Sequence, residues 1–83
     1  MEFISAVQKR INDLLKEKKM SVYDLVGKCG LPFPVVYSVL KKKRDDIDID
    51  TLYSICKGFD ISLADFFDSE LFDKPSGDAE DEE

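Results

Sequence analysis

The chain has 83 residues, of which 43% are hydrophobic and 36% are charged, and its formal net charge is −6. A chain this short forms one domain with a thin core, because it buries only about 60% of its unfolded surface. No apolar run approaches the roughly 18 residues of a membrane span, and the N-terminus lacks the pattern of a signal peptide. We therefore expect a cytoplasmic protein that does not bind membranes.

Charge is distributed unevenly along the chain. Residues 1–64 contain 11 Lys and Arg against 9 Asp and Glu, whereas residues 65–83 contain one Lys against 9 acidic residues. Beyond Phe72 no large apolar side chain remains, and such a segment cannot offset the entropy cost of folding. The sequence predicts a folded domain over residues 1–72 and an acidic, disordered tail over residues 73–83.

Several kinds of chemistry are excluded by composition. The chain has two Cys and no His, so one copy cannot assemble a thiol and imidazole zinc site. It also lacks a nucleophile paired with a base and a glycine-rich phosphate loop. We expect a protein that is not an enzyme and has no cofactor. Cys29 and Cys56 are interpreted as buried thiols that pack as small hydrophobic groups.

Two helices are predicted in the first part of the chain. The second begins after Ser21, a good N-cap with Asp24 at the capping-box position, and it ends where Gly30 can adopt a left-handed conformation. The first is an amphipathic helix of about four turns. Its apolar residues recur at steps of three and four and are Ile4, Val7, Ile11, Leu14 and Leu15.

The third helix is predicted from two prolines. Pro32 and Pro34 are tolerated only in the first turn of a helix, where the backbone N–H has no intrahelical partner. The helix should therefore begin near Phe33. Its buried stripe is expected to contain Val36 and Val39, together with Val35 or Leu40.

Two further helices follow a charged linker. Asp48 is the expected N-cap of the fourth helix, and Ser62 with Asp65 should cap a short fifth helix. The inward face of the fourth is predicted as Ile49, Leu52, Ile55, Cys56 and Phe59, and that of the fifth as Leu63, Phe66 and Phe67. No strand pattern is present, so the predicted class is all-α with five short helices.

Two short helices joined by a turn with glycine form a helix-turn-helix. The positions that require apolar residues and a glycine are occupied by Leu25, Cys29, Gly30, Leu31, Val36 and Val39. With the closing run IDTLYSICKGFDISLADFF, the segment from about Ile4 to Phe67 resembles the Cro/cI-type (lambda-repressor-like, XRE-type) DNA-binding domain. The resemblance implies a bacterial or phage transcriptional regulator, such as a repressor, that binds double-stranded DNA as a homodimer.

The resemblance also assigns positions at the DNA. The recognition helix would be about Phe33–Lys41, lying in the major groove, with Val22 near a phosphate. Residues over base edges would be Phe33, Pro34, Tyr37 and Ser38, and those on the phosphate backbone would be Lys41, Lys42, Lys43 and Arg44. None of the base-facing residues is Arg, Lys, Gln or Asn, which pair best with bases. We therefore expect phosphate attraction, DNA shape and apolar contacts with thymine methyl groups to prevail over hydrogen-bonded reading.

A second function stays open at this point. The scaffold does not fix the function, and a contiguous apolar and aromatic surface is typical of a protein interface. Such a surface would consist of Val22, Tyr23, Phe33 and Tyr37, with Pro34 beside them. The alternative is a protein-binding module of antirepressor or antitoxin type, whose partner would contact this face.

Overall fold

The computed structural model describes residues 2–41 and 46–73. These residues form five α-helices and a terminal 3-10 helix, without a strand among them, which confirms the predicted all-α class. The sequence did not predict the 3-10 helix. The elements are α1 Phe3–Glu17, α2 Val22–Cys29, α3 Phe33–Lys41, α4 Ile49–Phe59, α5 Leu63–Phe67 and the 3-10 helix Glu70–Phe72.

Local capping bonds set the starts of two helices. The Ser21 hydroxyl accepts the Asp24 N–H at 3.0 Å, and the Asp24 carboxylate accepts the Ser21 N–H at 2.9 Å. Both halves of the predicted capping box are thus present at α2. The Ser62 hydroxyl accepts the Asp65 N–H at 2.9 Å and caps α5. Asp48 stands at the N-cap position of α4 as predicted, but its side chain makes no capping bond there.

The turn between α2 and α3 depends on Gly30. Its φ is +77°, in the left-handed region, where a side chain would be strained. The following Pro32 carbonyl accepts the N–H groups of Val35 and Val36 at 3.0 and 3.2 Å. Because both donors lie one turn after Pro32, these bonds form the first turn of α3. The helix therefore begins at Phe33, as predicted.

The core is one cluster of apolar side chains drawn from all five helices. In α3 the third core residue is Leu40, whereas Val35 is 37% exposed, which resolves the two alternatives. The predicted inward position of Ile49 is wrong, since its side chain is 62% exposed. Ile49 is the first residue of α4 and precedes Leu52, the first buried residue of that helix.

Side chains of α1 connect the two ends of the domain. The Arg10 guanidinium donates to the carbonyls of Phe66 and Asp65 at 2.7 and 2.8 Å. The Gln8 amide donates to the Val39 carbonyl at 2.7 Å. α1 therefore holds α5 through Arg10 and the C-terminal half of α3 through Gln8.

Both cysteines are free thiols. Cys56 is buried, in agreement with the interpretation from sequence, whereas Cys29 is only half-buried between core and surface. Burial raises the pKa of the Cys56 thiol to about 11, although the nearby Arg10 charge partly opposes this. Cys56 is therefore a protonated packing group at neutral pH.

Some predictions concern residues outside the described ranges. They include the basic residues Lys42, Lys43 and Arg44 and all but the first residue of the tail 73–83. The predicted disorder of that tail stays a prediction, as does the domain boundary at residue 72. Among residues 2–41 and 46–73, no helix has the length and apolar character needed to cross a bilayer.

Candidate nucleic-acid interface

The two faces of α3 differ in their contacts. Val36, Val39 and Leu40 are buried in the core, and the Gln8 amide holds the Val39 carbonyl from α1. Because the core and α1 fix this side of α3, the opposite face of the helix is held toward solvent. That opposite face carries the exposed residues Pro34, Tyr37 and Lys41.

Three rings from α2 and α3 form a continuous layer, which we call the aromatic stack. The centroids of Tyr23 and Phe33 are 5.2 Å apart with an interplanar angle of 11°, and those of Phe33 and Tyr37 are 5.7 Å apart at 29°. Phe33 is half-buried between its neighbours, whereas Tyr23 is 73% exposed and Tyr37 is 42% exposed. The stack therefore places two accessible tyrosine rings on the same surface as the exposed face of α3.

The first turn of α3 has few backbone donors. A helix normally begins with four N–H groups that lack intrahelical partners. In α3 two of these positions are Pro32 and Pro34, which have no N–H. The Val35 N–H donates to the Pro32 carbonyl. The start of α3 is consequently a largely apolar surface and a poor anion-binding site.

The remaining predicted site residues have separate environments. Ser38 is half-buried and follows Tyr37 of the aromatic stack, and Lys41 is exposed at the last residue of α3. Val22 is half-buried and packs against the core, so only part of its side chain is available to the predicted apolar surface. The structure thus brings together the rings of Tyr23, Phe33 and Tyr37. Pro34 is exposed on the same face of α3 as Tyr37, and Val22 is partly buried.

The electrostatics of α2 are dominated by its capping box. The Ser21 N–H, and secondly its hydroxyl, donate to the Asp24 carboxylate and lower the pKa of that group, with a smaller contribution from Lys28. Asp24 therefore stays ionised at the start of the helix, where negative charge complements the helix dipole. In the described part of the chain, no three His, Cys, Asp or Glu are grouped so that they could hold a metal ion.

Comparison with known proteins identifies this arrangement. A family model described as the Cro/C1-type helix-turn-helix DNA-binding domain matches residues 10–70. The chain belongs to this family. As a Cro/C1-type protein it is a DNA-binding regulator of transcription, and the resemblance inferred from its sequence is confirmed.

Solved structures agree with the Cro/C1-type assignment. The restriction-modification controller protein C.Esp1396I is 29% identical, with a TM-score of 0.70 over 81% of this chain and 87% of that chain. A point mutant of the same controller is 32% identical, with a TM-score of 0.70 over 81% and 86%. The prophage Lp1 protein 11 shares the fold, at 20% identity with a TM-score of 0.75 over 89% and 99%. No match was found among curated proteins.

The sequence did not predict the roles of two α1 residues, Gln8 and Arg10, that hold other helices in position. Gln8 and Arg10 lie on the polar side of α1, where a charged or amide residue is usually a solvated surface residue. Each instead donates to a backbone carbonyl of another helix. Nothing in the spacing of α1 marks these two residues, because their partners are 31 and 56 residues away.

Proposed function

We propose that this Cro/C1-type protein regulates transcription as a homodimer that places one α3 helix in each of two successive major grooves. The observation that carries the proposal is the exposed face of α3, presented on a helix-turn-helix whose other side is held by the core. Two copies are required because such motifs read half-sites about one helical turn apart. The protein would act in the cytoplasm of a bacterium, on chromosomal or phage DNA.

Phosphate contacts would supply most of the affinity. Lys41 is exposed at the end of α3, and Lys42, Lys43 and Arg44 continue the positive run in the sequence. Val22 opens α2, and its backbone N–H would approach a phosphate at the helix N-terminus. Base edges would face Phe33, Pro34, Tyr37 and Ser38.

The test is fluorescence anisotropy of a labelled duplex against the full chain in a series of salt concentrations. Affinity should fall with salt at a log–log slope of about −0.9 per phosphate neutralised. The double variant Lys41→Glu with Lys43→Glu should lose measurable binding and keep its melting temperature. The matched control, Lys16→Glu with Lys57→Glu, makes the same charge change on α1 and α4 and should retain more of the affinity.

Two results would contradict this assignment. Equal binding by the two double variants would contradict the proposed phosphate contacts of residues 41–44. DNA affinity would then depend only on the net charge of the protein. Absence of binding to every duplex at low salt would contradict DNA recognition itself. Dimerisation is tested separately by analytical ultracentrifugation, and a monomer on DNA at saturating concentration would contradict the two-half-site arrangement.

The exposed aromatic stack favours one second candidate. Exposed tyrosines are enriched in protein interfaces, and Tyr23 and Tyr37 both stand on the surface of the motif. A protein-binding module of antirepressor or antitoxin type would use this same face. It becomes the better assignment if no duplex binds while Tyr37→Ala retains the wild-type melting temperature.

A further inference from the structure

We propose that the aromatic stack selects thymine by contact with the 5-methyl group in the major groove. The inference rests on the proposed function, because it assigns a base preference to the face that α3 would present to DNA. It names Tyr23 of α2 and Phe33 and Tyr37 of α3 as residues that determine specificity.

The three rings support one another. Phe33 contacts Tyr23 on one side and Tyr37 on the other, at 5.2 and 5.7 Å between centroids. Stacked rings in this range attract each other beyond the effect of their buried area. The aromatic stack therefore offers DNA a preformed apolar surface, and little side-chain entropy is lost when it contacts a base.

α3 has few side chains with donor groups. The side-chain donors of α3 are the hydroxyls of Tyr37 and Ser38 and the ammonium group of Lys41 at its far end. Pro32 and Pro34 remove two backbone N–H groups from its first turn. The rings and the proline therefore offer apolar carbon at the positions where a helix-turn-helix meets base edges.

Base edges respond differently to such a surface. In the major groove thymine presents a methyl group, whereas guanine presents two acceptors and cytosine an amino donor. A ring placed against guanine or cytosine would desolvate these polar groups without replacing their hydrogen bonds, which is costly. Against thymine, the same ring buries a methyl group. The stack therefore favours thymine and disfavours guanine and cytosine.

DNA is a better occupant of this surface than a protein for two reasons. The chain belongs to a DNA-binding family, and the sequence turns positive directly after the stack, from Lys41 through Arg44. An apolar surface followed along the chain by positive charge matches the methyl groups and the phosphates of a T-containing groove.

The experiment separates the methyl group from every other property of the base pair. A duplex is first selected by the full chain from a library randomised over the binding site. Each thymine of that duplex is then replaced by deoxyuridine, which lacks only the methyl. Loss of one buried methyl should weaken binding about fourfold, at one or more thymines of each half-site.

Variants assign the effect to the stack. Tyr37→Ala should bind the thymine and deoxyuridine duplexes alike, whereas Tyr37→Phe should keep the discrimination because it keeps the ring. The matched control is Tyr53→Ala, which removes a tyrosine that is 52% exposed on α4 and should leave the discrimination intact. Tyr23→Ala repeats the test at a more exposed position if Tyr37→Ala has a reduced melting temperature.

The outcomes distinguish this inference from the proposed function. If every deoxyuridine duplex binds like its parent, or if the library yields no preferred sequence, thymine reading is overturned while salt-dependent DNA binding stands. If no duplex binds at low salt, both fail and the surface is assigned to a protein partner. Discrimination that survives Tyr37→Ala and Tyr23→Ala would also overturn the role of the stack.

Discussion

At the residue scale, the start of the helix-turn-helix depends on one exposed carboxylate. Asp24 accepts the Ser21 N–H at 2.9 Å and so completes the capping box. Because these bonds favour the ionised form, the pKa of Asp24 is lowered from its ordinary value of 3.8. A group with a lowered pKa in the folded state stabilises the fold above its ordinary pKa, and this stabilisation is lost as the pH falls through the lowered value.

Asp24→Asn should therefore reduce stability at pH 7 and have a much smaller effect in strong acid. At low pH the wild-type carboxyl is protonated and loses the same charge that the variant lacks. Urea denaturation of both proteins in steps from pH 7 to about pH 2 measures the difference. Asp68→Asn is the control, since it removes a charge from an exposed residue outside any N-cap. A stability gap for Asp24→Asn that stays constant with pH would contradict the capping role of the charge.

At the element scale, the position of α2 is set by a close approach to α4. Gly58 of α4 is buried, and a Cβ placed on it would lie 2.9 Å from both Cys29 Cβ and Leu25 Cδ1 and 3.1 Å from the Cys29 backbone nitrogen. Two of these atoms belong to the backbone or lie next to it, so they cannot move without α2. The glycine therefore determines how closely the first helix of the motif packs on the rest of the domain.

Gly58→Ala and Gly27→Ala should have opposite effects. Overpacking at Gly58 is expected to cost about 1–3 kcal/mol, which over most of that range is larger than the gain of up to about 1 kcal/mol from the helix propensity of alanine. Gly27 lies within α2, and among the described residues no heavy atom outside its own stretch of helix lies within 4 Å of the position that an alanine methyl would occupy. Alanine there should stabilise by about 0.5–1 kcal/mol. Chemical denaturation gives both values. A neutral or stabilising Gly58→Ala would show that α2 moves away freely.

At the scale of the whole molecule, α1 ties the two ends of the domain together. Arg10 donates to the carbonyls of Phe66 and Asp65 in α5, and its guanidinium lies 6.0 Å from the centre of the Phe66 ring. Phe66 is fully buried. The forked guanidinium satisfies two carbonyls near the end of α5, which a single ammonium group cannot do in the same geometry.

Arg10→Lys should therefore destabilise the domain even though the charge is kept. Losing one charge-assisted hydrogen bond is expected to cost about 1.5–3 kcal/mol, measured as the change in free energy of unfolding in urea. The neighbouring Lys9 forms an exposed pair with Asp13 at 3.5 Å, so Lys9→Ala should change stability by less than about 1 kcal/mol. Equal effects of the two substitutions would mean that the Arg10 bonds contribute no more than a surface ion pair.

Several helix boundaries were predictable because their causes are local. Ser21, Gly30, Pro32 and Ser62 act on backbone groups within a few residues of themselves, and each marks the predicted boundary. The candidate site was partly predictable for the same reason, since Tyr37 and Lys41 share one face of one helix. The sequence named Val22 and Tyr23 as the α2 members of that face, but how closely each approaches the rings of α3 depends on how α2 and α3 cross. Tyr23 stacks on Phe33, whereas Val22 is half-buried against the core.

The amino-acid sequence by itself determined the helical class, the helix-turn-helix and the family, because capping residues and apolar periodicity report on neighbours along the chain. Only the tertiary structure decided that Leu40 is buried and Ile49 exposed. It also decided that α2 packs closely on Gly58, and that Arg10 and Gln8 donate hydrogen bonds to distant backbone carbonyls. These outcomes depend on contacts between residues far apart in the chain, which exist only once the helices have packed.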